Sequence, residues 1–365
     1  MKLKIFSDPN YLWGGKSPNT ILSPFWSEPL ESPQHTWNRA LDNYSAIAPD
    51  CFELVPLEEA DLIILPDDWL KIRTYIWRSK INQSALNLSI KFAQKVHKSG
   101  KTLIVFFSGD CSDEEIPIKN AIVFRQSPYR SQPKPQDFAF PAWCEDLVQH
   151  YLKGELPIRQ KTDKPVVGFC GLVKSDSWQT QLKTIVYQSV MLAKYHRRKD
   201  PVYKGHILRN KAIKNIADNP NINHNFIPRY GQTFFNRESS IDERLKIRWE
   251  FIQNIVESDY ILCCRGAGNF SFRLYETLCC GRIPIFIDTD CILPYEFAID
   301  WKKYCIWLDE KELPQIAEKI LEFHEKLSPQ EFIDLQYECR KLWKEWLSPE
   351  GFFSNFYRHF EARIS

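Results

Sequence analysis

Arg273 and Glu276 stand three residues apart inside residues 258–288, a segment whose residue types suit an anionic ligand. On a helix that spacing places both side chains on one face, displaced by about 4.5 Å along the axis. The offset fits an arginine on a phosphate and a carboxylate on the neighbouring ribose hydroxyls, so the pair reads as a clamp for a nucleoside diphosphate. It equally fits a surface ion pair of little energetic weight. An apolar run over 260–264 reads as a strand that delivers the backbone to Arg265, and Gly266 and Gly268 let it turn. A helix then opens near Asn269 or Ser271, both good N-cap types, and Gly281 closes it. Unpaired N–H groups and the positive end of the dipole at such a start attract anions.

Around this pair the chain resembles the exostosin family of glycosyltransferases. The resemblance lies in Ser258 leading the strand, Gly266, the Ser-x-Arg-x-x-Glu of Ser271, Arg273 and Glu276, the Cys-Gly-x-Ile-Pro-Ile that starts at Cys280, Leu293-Pro294, and Asp300-Trp301. Weaker echoes fall at 60–66, 138–141 and 168–171, while Arg265 stands where the family usually has proline. The resemblance implies a GT-B architecture and transfer of a sugar from a nucleotide-diphosphate sugar to a hydroxyl acceptor, a glycan. It implies inversion, no metal, and no cofactor beyond the nucleotide-sugar co-substrate, a UDP-sugar rather than a GDP-sugar. The donor would rest on Arg273 and Glu276, with Ser271, Arg265, Gly266, Asn269 and Phe270 around them. Arg209 would be a second phosphate ligand, or a solvated helix charge. Tyr230, at a strand end, would pack on the base or belong to the core. Gly171, followed by Lys174, would approach the diphosphate.

An inverting transfer needs a carboxylate or histidine beside the acceptor hydroxyl to take its proton. Asp8, Asp67 and Asp110 each follow an expected strand in the N-terminal half. Asp110 and Asp8 are the better candidates, since neither directly follows a proline and both adjoin flexible turns. Asp288 and Asp290 form a D-x-D step that would suit a metal-dependent transferase, but with only 75 residues after it the step reads as a loop. Cys263-Cys264 and Cys279-Cys280 lack C-x-x-C spacing, and adjacent strand residues face opposite ways, which disfavours zinc. A protein that binds a nucleotide or sugar without turnover is the alternative outside enzymes.

These side chains need strands to carry them. Apolar runs at Leu3–Phe6, 61–65, 102–107, 121–124 and 138–140 end at polar, Gly or Pro turns, with a helical pattern over 75–99. The grammar restarts at 166–170 and continues through strands at 225–227, 260–264, 283–287 and 304–308, with helices at 179–195, 241–257, 270–280, 313–326 and 329–346. Continuous apolar strands between amphipathic helices indicate parallel sheets covered on both faces. The expected fold is α/β, with two doubly wound Rossmann-like domains facing a cleft at the carboxyl ends of their strands. The expected division is 1–160 for the acceptor side and 161–346 for the donor side, joined by a linker over 154–164. Residues 347–365, rich in aromatics, would pack back on the first domain.

The 365 residues carry 48 Lys+Arg against 46 Asp+Glu, a net charge of +2. That balance disfavours a general nucleic-acid binder, which needs a clustered cationic excess. The start of the chain lacks the apolar run of a signal peptide and no stretch suits a membrane span, so a soluble cytoplasmic protein is expected, with peripheral membrane contact left open. Eleven scattered cysteines, mostly in apolar strings, are expected to be reduced and buried.

Overall fold

The computed structural model describes residues 2–15, 18–26, 39–72, 81–134, 136–174, 177–194, 204–230 and 240–361. Two parallel sheets organise them. The first runs β2-β1-β3-β4-β5-β6, from β1 (Leu3–Phe6), β2 (Phe52–Leu54), β3 (Leu62–Ile64), β4 (Leu103–Phe107), β5 (Ala121–Arg125) and β6 (Asp137–Ala139). The second runs β11-β10-β9-β7-β8, from β7 (Val166–Leu172), β8 (Asn223–Arg229), β9 (Tyr260–Cys263), β10 (Ile283–Asp288) and β11 (Ile306–Asp309). Every residue of β4, β5 and β9 is buried, as strands covered on both faces require. Pro228 lies in β8 because β8 is an edge strand, where a missing N–H breaks no ladder.

The first sheet carries α1 (Asp42–Cys51) and α2 (Gln83–Lys98), the latter capped by the Asn82 side chain on the Ala85 N–H. The second carries α3 (Trp178–Lys194), α4 (Lys204–Ala217), α5 (Ile241–Val256) and α6 (Phe272–Cys279). Then come α7 (Ile316–Lys326), α8 (Pro329–Leu342) and the short α9 (Pro349–Ser354). Ser240 and Glu243 form a reciprocal capping box at the start of α5, as do Ser328 and Glu331 at α8.

The last aromatic residues lie on the first sheet. Phe353 stacks on Tyr44 at 4.3 Å and Phe356 meets Phe124 at 5.0 Å, while Tyr295 from the second half donates to the Phe352 carbonyl at 2.7 Å. The segment 154–164 is fastened rather than loose. The Pro157 carbonyl accepts from buried Arg282, and Arg159 pairs with Asp259 and donates its N–H to Gln336. Among the described residues no helix is long and apolar enough to cross a membrane.

Candidate active site

The carboxyl ends of β7 and β9 meet side by side, and two arginines converge on them from different helices. Arg273, in the first turn of α6, donates Nη2 to the Cys170 carbonyl at 2.6 Å and lies 4.4 Å from the centroid of the Phe169 ring. Gly171 makes room for it, since a Cβ there would run into Nη2. Arg209 comes from α4 and gives Nη1 to the Leu172 carbonyl at 3.2 Å and Nη2 to the Cys264 carbonyl at 2.9 Å. It is therefore a half-buried helix residue bonded to backbone, neither freely solvated nor placed after a short strand. Its approach depends on Gly205, where a Cβ would collide with the carbonyls of Arg265 and Gly266.

Among the described residues neither guanidinium meets a carboxylate, and Nε of Arg209 with Nε and Nη1 of Arg273 are buried without a hydrogen-bond partner. Burial, with Arg273 and Arg265 nearby, pushes Arg209 down to about 10. Burial and the charges of Arg209, Lys174 and Arg265 push His206 down to about 3. Arg282, also pushed down to about 10 by burial and with its own Nε unpartnered, differs at its terminal nitrogens, which reach five acceptors, the carbonyls of Cys280, Gly281, Pro157 and Val256 and the Gln336 side chain. A buried cation without enough acceptors is costly, and charge-assisted bonds to an anion would relieve that cost.

The turn before α6 is largely structural. Arg265 is buried, donates to the Tyr129 hydroxyl and Asn269 Oδ1 at 3.1 Å each, and reaches the Ala267 carbonyl at 3.1 Å. Gly266 donates its N–H to the Phe270 carbonyl at 3.2 Å. Asn269 caps nothing: its amide donates to the Pro128 and Asp290 carbonyls and its oxygen accepts from Arg265 and Thr289. Ser271 holds the N-cap position, yet its hydroxyl makes no capping bond and is buried without a partner among the described residues. Phe270 meets Phe272 edge-on at 5.4 Å. The Arg265, Gly266 and Asn269 side of the expected donor set thus holds the turn together.

Glu276 and Arg273 do not pair with each other. Glu276 is 9% exposed and accepts from Arg248 Nη1 at 2.7 Å, and Arg248 also reaches Glu145 at 3.2 Å. Burial opposes the Arg248 charge, but the two carboxylates outweigh it and hold the guanidinium firmly protonated. Arg248 sits in the charged helix 241–257, where spacing alone gave no sign that it faces inward. Tyr230 is 70% exposed at the end of β8, so it is not a core aromatic.

The carboxylates of the first half divide clearly. Asp8 caps a short turn, accepts from Asn10, and pairs with Lys95 at 2.8 Å. Its pKa is lowered because these bonds outweigh its burial, and both of its oxygens are engaged. Asp67 accepts from the Trp13 N–H and lies 3.5 Å from Lys71. Asp110 accepts the Gly268 N–H at 2.9 Å, clipping the first domain to the turn before α6, and Gly268 has no space for a Cβ because the Asp110 Cα is 2.7 Å away. Neither favoured carboxylate lines the cavity that opens at the carboxyl ends of β3 to β6.

Asp68 does line it. This cavity, about 290 Å³, is bounded by Asp68, Ser108, Gly109 and Gln126 from the first sheet and by Phe272 from the start of α6. Asp68 Oδ1 accepts from the N–H groups of Leu70 at 2.8 Å and Ser108 at 3.2 Å. Burial pushes its carboxyl up to about 6 against these bonds and Lys71. Of the Pro66-Asp67-Asp68 step after β3, the turn puts the second aspartate and not the first in the cavity wall.

The Asp288 and Asp290 carboxylates belong to a junction between the two halves. Asp288 accepts from the Cys291 N–H, and Asp290 accepts from the N–H and hydroxyl of Ser131. Among the described residues no group of three His, Cys, Asp or Glu could hold a metal ion. Cys263, Cys264, Cys279 and Cys280 are all buried and free.

Residues 187–323 match the Exostosin GT47 domain. Exostosin-1 of Drosophila melanogaster is 30% identical over 105 residues, 29% of this chain and 13% of that protein. A probable glucuronosyltransferase 47 A of Physcomitrium patens is 35% identical over 71 residues, 20% of this chain and 16% of the relative. The chain therefore matches less than a fifth of the length of these relatives. Among solved structures, a glycosyltransferase from Rickettsia africae aligns with a TM-score of 0.37 at 12% identity, over 93% of this chain and 84% of that one. The cluster at the ends of β7 and β9 draws Arg209 and Arg273 from within the matched region, so the two guanidinium groups lie in the part of the chain that is similar to the exostosin GT47 domain.

Proposed function

We propose that the protein transfers a sugar from a nucleoside-diphosphate sugar, a UDP-sugar, to a hydroxyl of a glycan, with inversion and without a metal. The observation that carries this reading is the pair Arg209 and Arg273, half-buried cations with three buried, unpartnered nitrogens and no carboxylate among the described residues. A diphosphate supplies the missing acceptors, and the two guanidinium groups take up the charge that grows on it as the sugar leaves. That is the part a divalent ion plays in metal-dependent transfer. The ribose would meet Glu276, on the same helix, and Tyr230 stands exposed at the neighbouring strand end for the base. The names of the relatives, glucuronosyltransferases and beta-1,4-xylosyltransferases, favour a glucuronosyl or pentosyl donor.

The test is calorimetric titration with UDP and with uridine. A charge-assisted contact contributes about 1.5–3 kcal/mol, so Arg273→Ala should weaken UDP by about 10- to 150-fold and leave uridine nearly unchanged. Unchanged UDP affinity in that variant would remove the diphosphate from this site.

A further inference from the structure

We infer that the cavity at the carboxyl ends of β3 to β6 is the acceptor site, that it admits a neutral sugar ring presented by its apolar face, and that Asp68 removes the proton from the reacting hydroxyl. This deepens the reading above and rests on it for the donor. Three features of the cavity lead here. Its walls are mostly apolar, with Leu41, Leu70, Phe106, Phe140, Trp143 and Phe272 facing the space, which suits the C–H face of a pyranose stacked on aromatics. It carries one charged lining residue among those described, Asp68, and no cation to receive an anionic substituent. It also offers an unused donor, because the Trp143 indole N–H is buried without a partner among the described residues.

The cavity is coupled to the donor cluster by covalent neighbours. Phe272 lines it and Arg273 follows in the same turn of α6. Gly109 lines it, and the next residue, Asp110, holds the Gly268 N–H of the turn before α6. In the reaction the acceptor hydroxyl gives its proton to the Asp68 carboxylate while its oxygen bonds to the anomeric carbon. The bond from that carbon to the diphosphate oxygen breaks, its electron pair leaves with the nucleoside diphosphate beside Arg209 and Arg273, and Asp68 later returns the proton to water. A carboxyl raised to about 6 is ionised at neutral pH yet basic enough to share the proton in the transition state. A uronic acid in the same space would bring a second carboxylate against Asp68 and lose its hydration without a counter-ion.

Phenyl β-D-glucoside and phenyl β-D-glucuronide differ at one position, hydroxymethyl against carboxylate, and test the inference by saturation-transfer NMR with and without UDP. The glucoside should bind at least about 10-fold more tightly than the glucuronide, and Leu41→Trp, which fills the cavity, should abolish its signal while UDP affinity stays at the wild-type value. Equal or tighter glucuronide binding, or a glucoside signal that survives Leu41→Trp, would overturn the acceptor site. A protein that binds glucoside in this way but not UDP would refute the donor reading instead. Transfer to the glucoside should be followed with UDP-glucose, UDP-xylose, UDP-N-acetylglucosamine and UDP-glucuronate in turn. Asp68→Asn should lower it about 10²- to 10⁴-fold at unchanged UDP affinity. Wild-type rates in Asp68→Asn, or no transfer by the wild-type chain with any of the four, would overturn the assignment of Asp68.

Discussion

Three kinds of buried ionisable residue separate in this chain, and the separation rests on what each side chain can reach. Half-buried Asp8 has partners on both oxygens, and both terminal nitrogens of Arg282 are bonded though its Nε is not, so these two hold the fold. Glu276 gives one oxygen to Arg248 and lies one turn beyond Arg273 on the same helix, the position proposed for the ribose. Glu276→Gln should therefore weaken uridine and UDP by the same factor, because an amide oxygen accepts ribose hydroxyls less well than a carboxylate, and the phosphates do not sense it. Titration of both ligands checks this, and a loss confined to UDP would contradict it. Arg209 keeps a buried Nε without a partner among the described residues, and Asp68 is a desolvated carboxyl in a cavity wall. The Asp68 carboxyl is raised in the folded chain, so its favourable contribution to stability is present below about pH 4 and is lost as pH rises through about 6. Asp68→Asn should accordingly be at least as stable as wild type at pH 7.5 while transfer collapses. The wild-type rate should rise with pH through about 6, where the Asp68 carboxylate, with Lys71 as its charged neighbour, becomes free to accept a proton. Thermal melts and a pH–rate profile read the two effects, and a destabilised Asn variant with an unchanged acidic limb would rule out Asp68 as the titrating base.

Elements differ in how plainly the sequence announces them. The strands at Leu3–Phe6, Leu103–Phe107 and Ile283–Asp288 were legible because each is an apolar run ended by a polar or Gly turn. The ends of α6 were legible too, since Gly281 takes a left-handed φ of 62° just after the helix. α1 escaped because Pro49 interrupts its pattern, and β2, three residues long, follows it directly. α4 was obscured by Gly205, which reads as a breaker but is required where the helix passes the backbone of Arg265 and Gly266. The inward aim of Arg248 and the exposure of Tyr230 depend on tertiary packing that no local spacing encodes. The terminal segment supplies an element-scale test. His359 is buried against Phe124 and Phe138, and burial pushes its pKa down to about 3, so it stays neutral in the fold. Such a group contributes stability above about pH 6.5 that is lost as pH falls towards 3. His359→Phe, which keeps the packing, should flatten the loss of stability between pH 7.5 and 5, as urea melts at the two pH values would register. An unchanged slope would place the acid sensitivity elsewhere.

At the scale of the whole molecule, the two sheets are tied at several points. Asp110 meets Gly268, Ser131 meets Asp290, Arg130 meets Glu296, and the segment around Arg159 is pinned to Asp259 and Gln336. A hinge over 154–164 would have to break the last of these contacts, so domain closure, if it accompanies donor binding, has to bend elsewhere. The terminal aromatics close the circuit by joining α9 to the first sheet and to Tyr295. Phe353→Ala should cost about 3–5 kcal/mol, and it should lower the stability of the whole chain in one transition rather than melt the tail alone. Calorimetry that resolved an early, separate transition would contradict that coupling. A crystal structure of the protein with UDP would show directly whether Arg209 and Arg273 hold the diphosphate. β-Phosphate oxygens should lie within about 3 Å of Arg273 Nη1 and of Arg209 Nε, two of the three nitrogens that lack partners among the described residues. A diphosphate bound beside Asp288 and Asp290, or anywhere that leaves both guanidinium groups on their carbonyls alone, would contradict this placement.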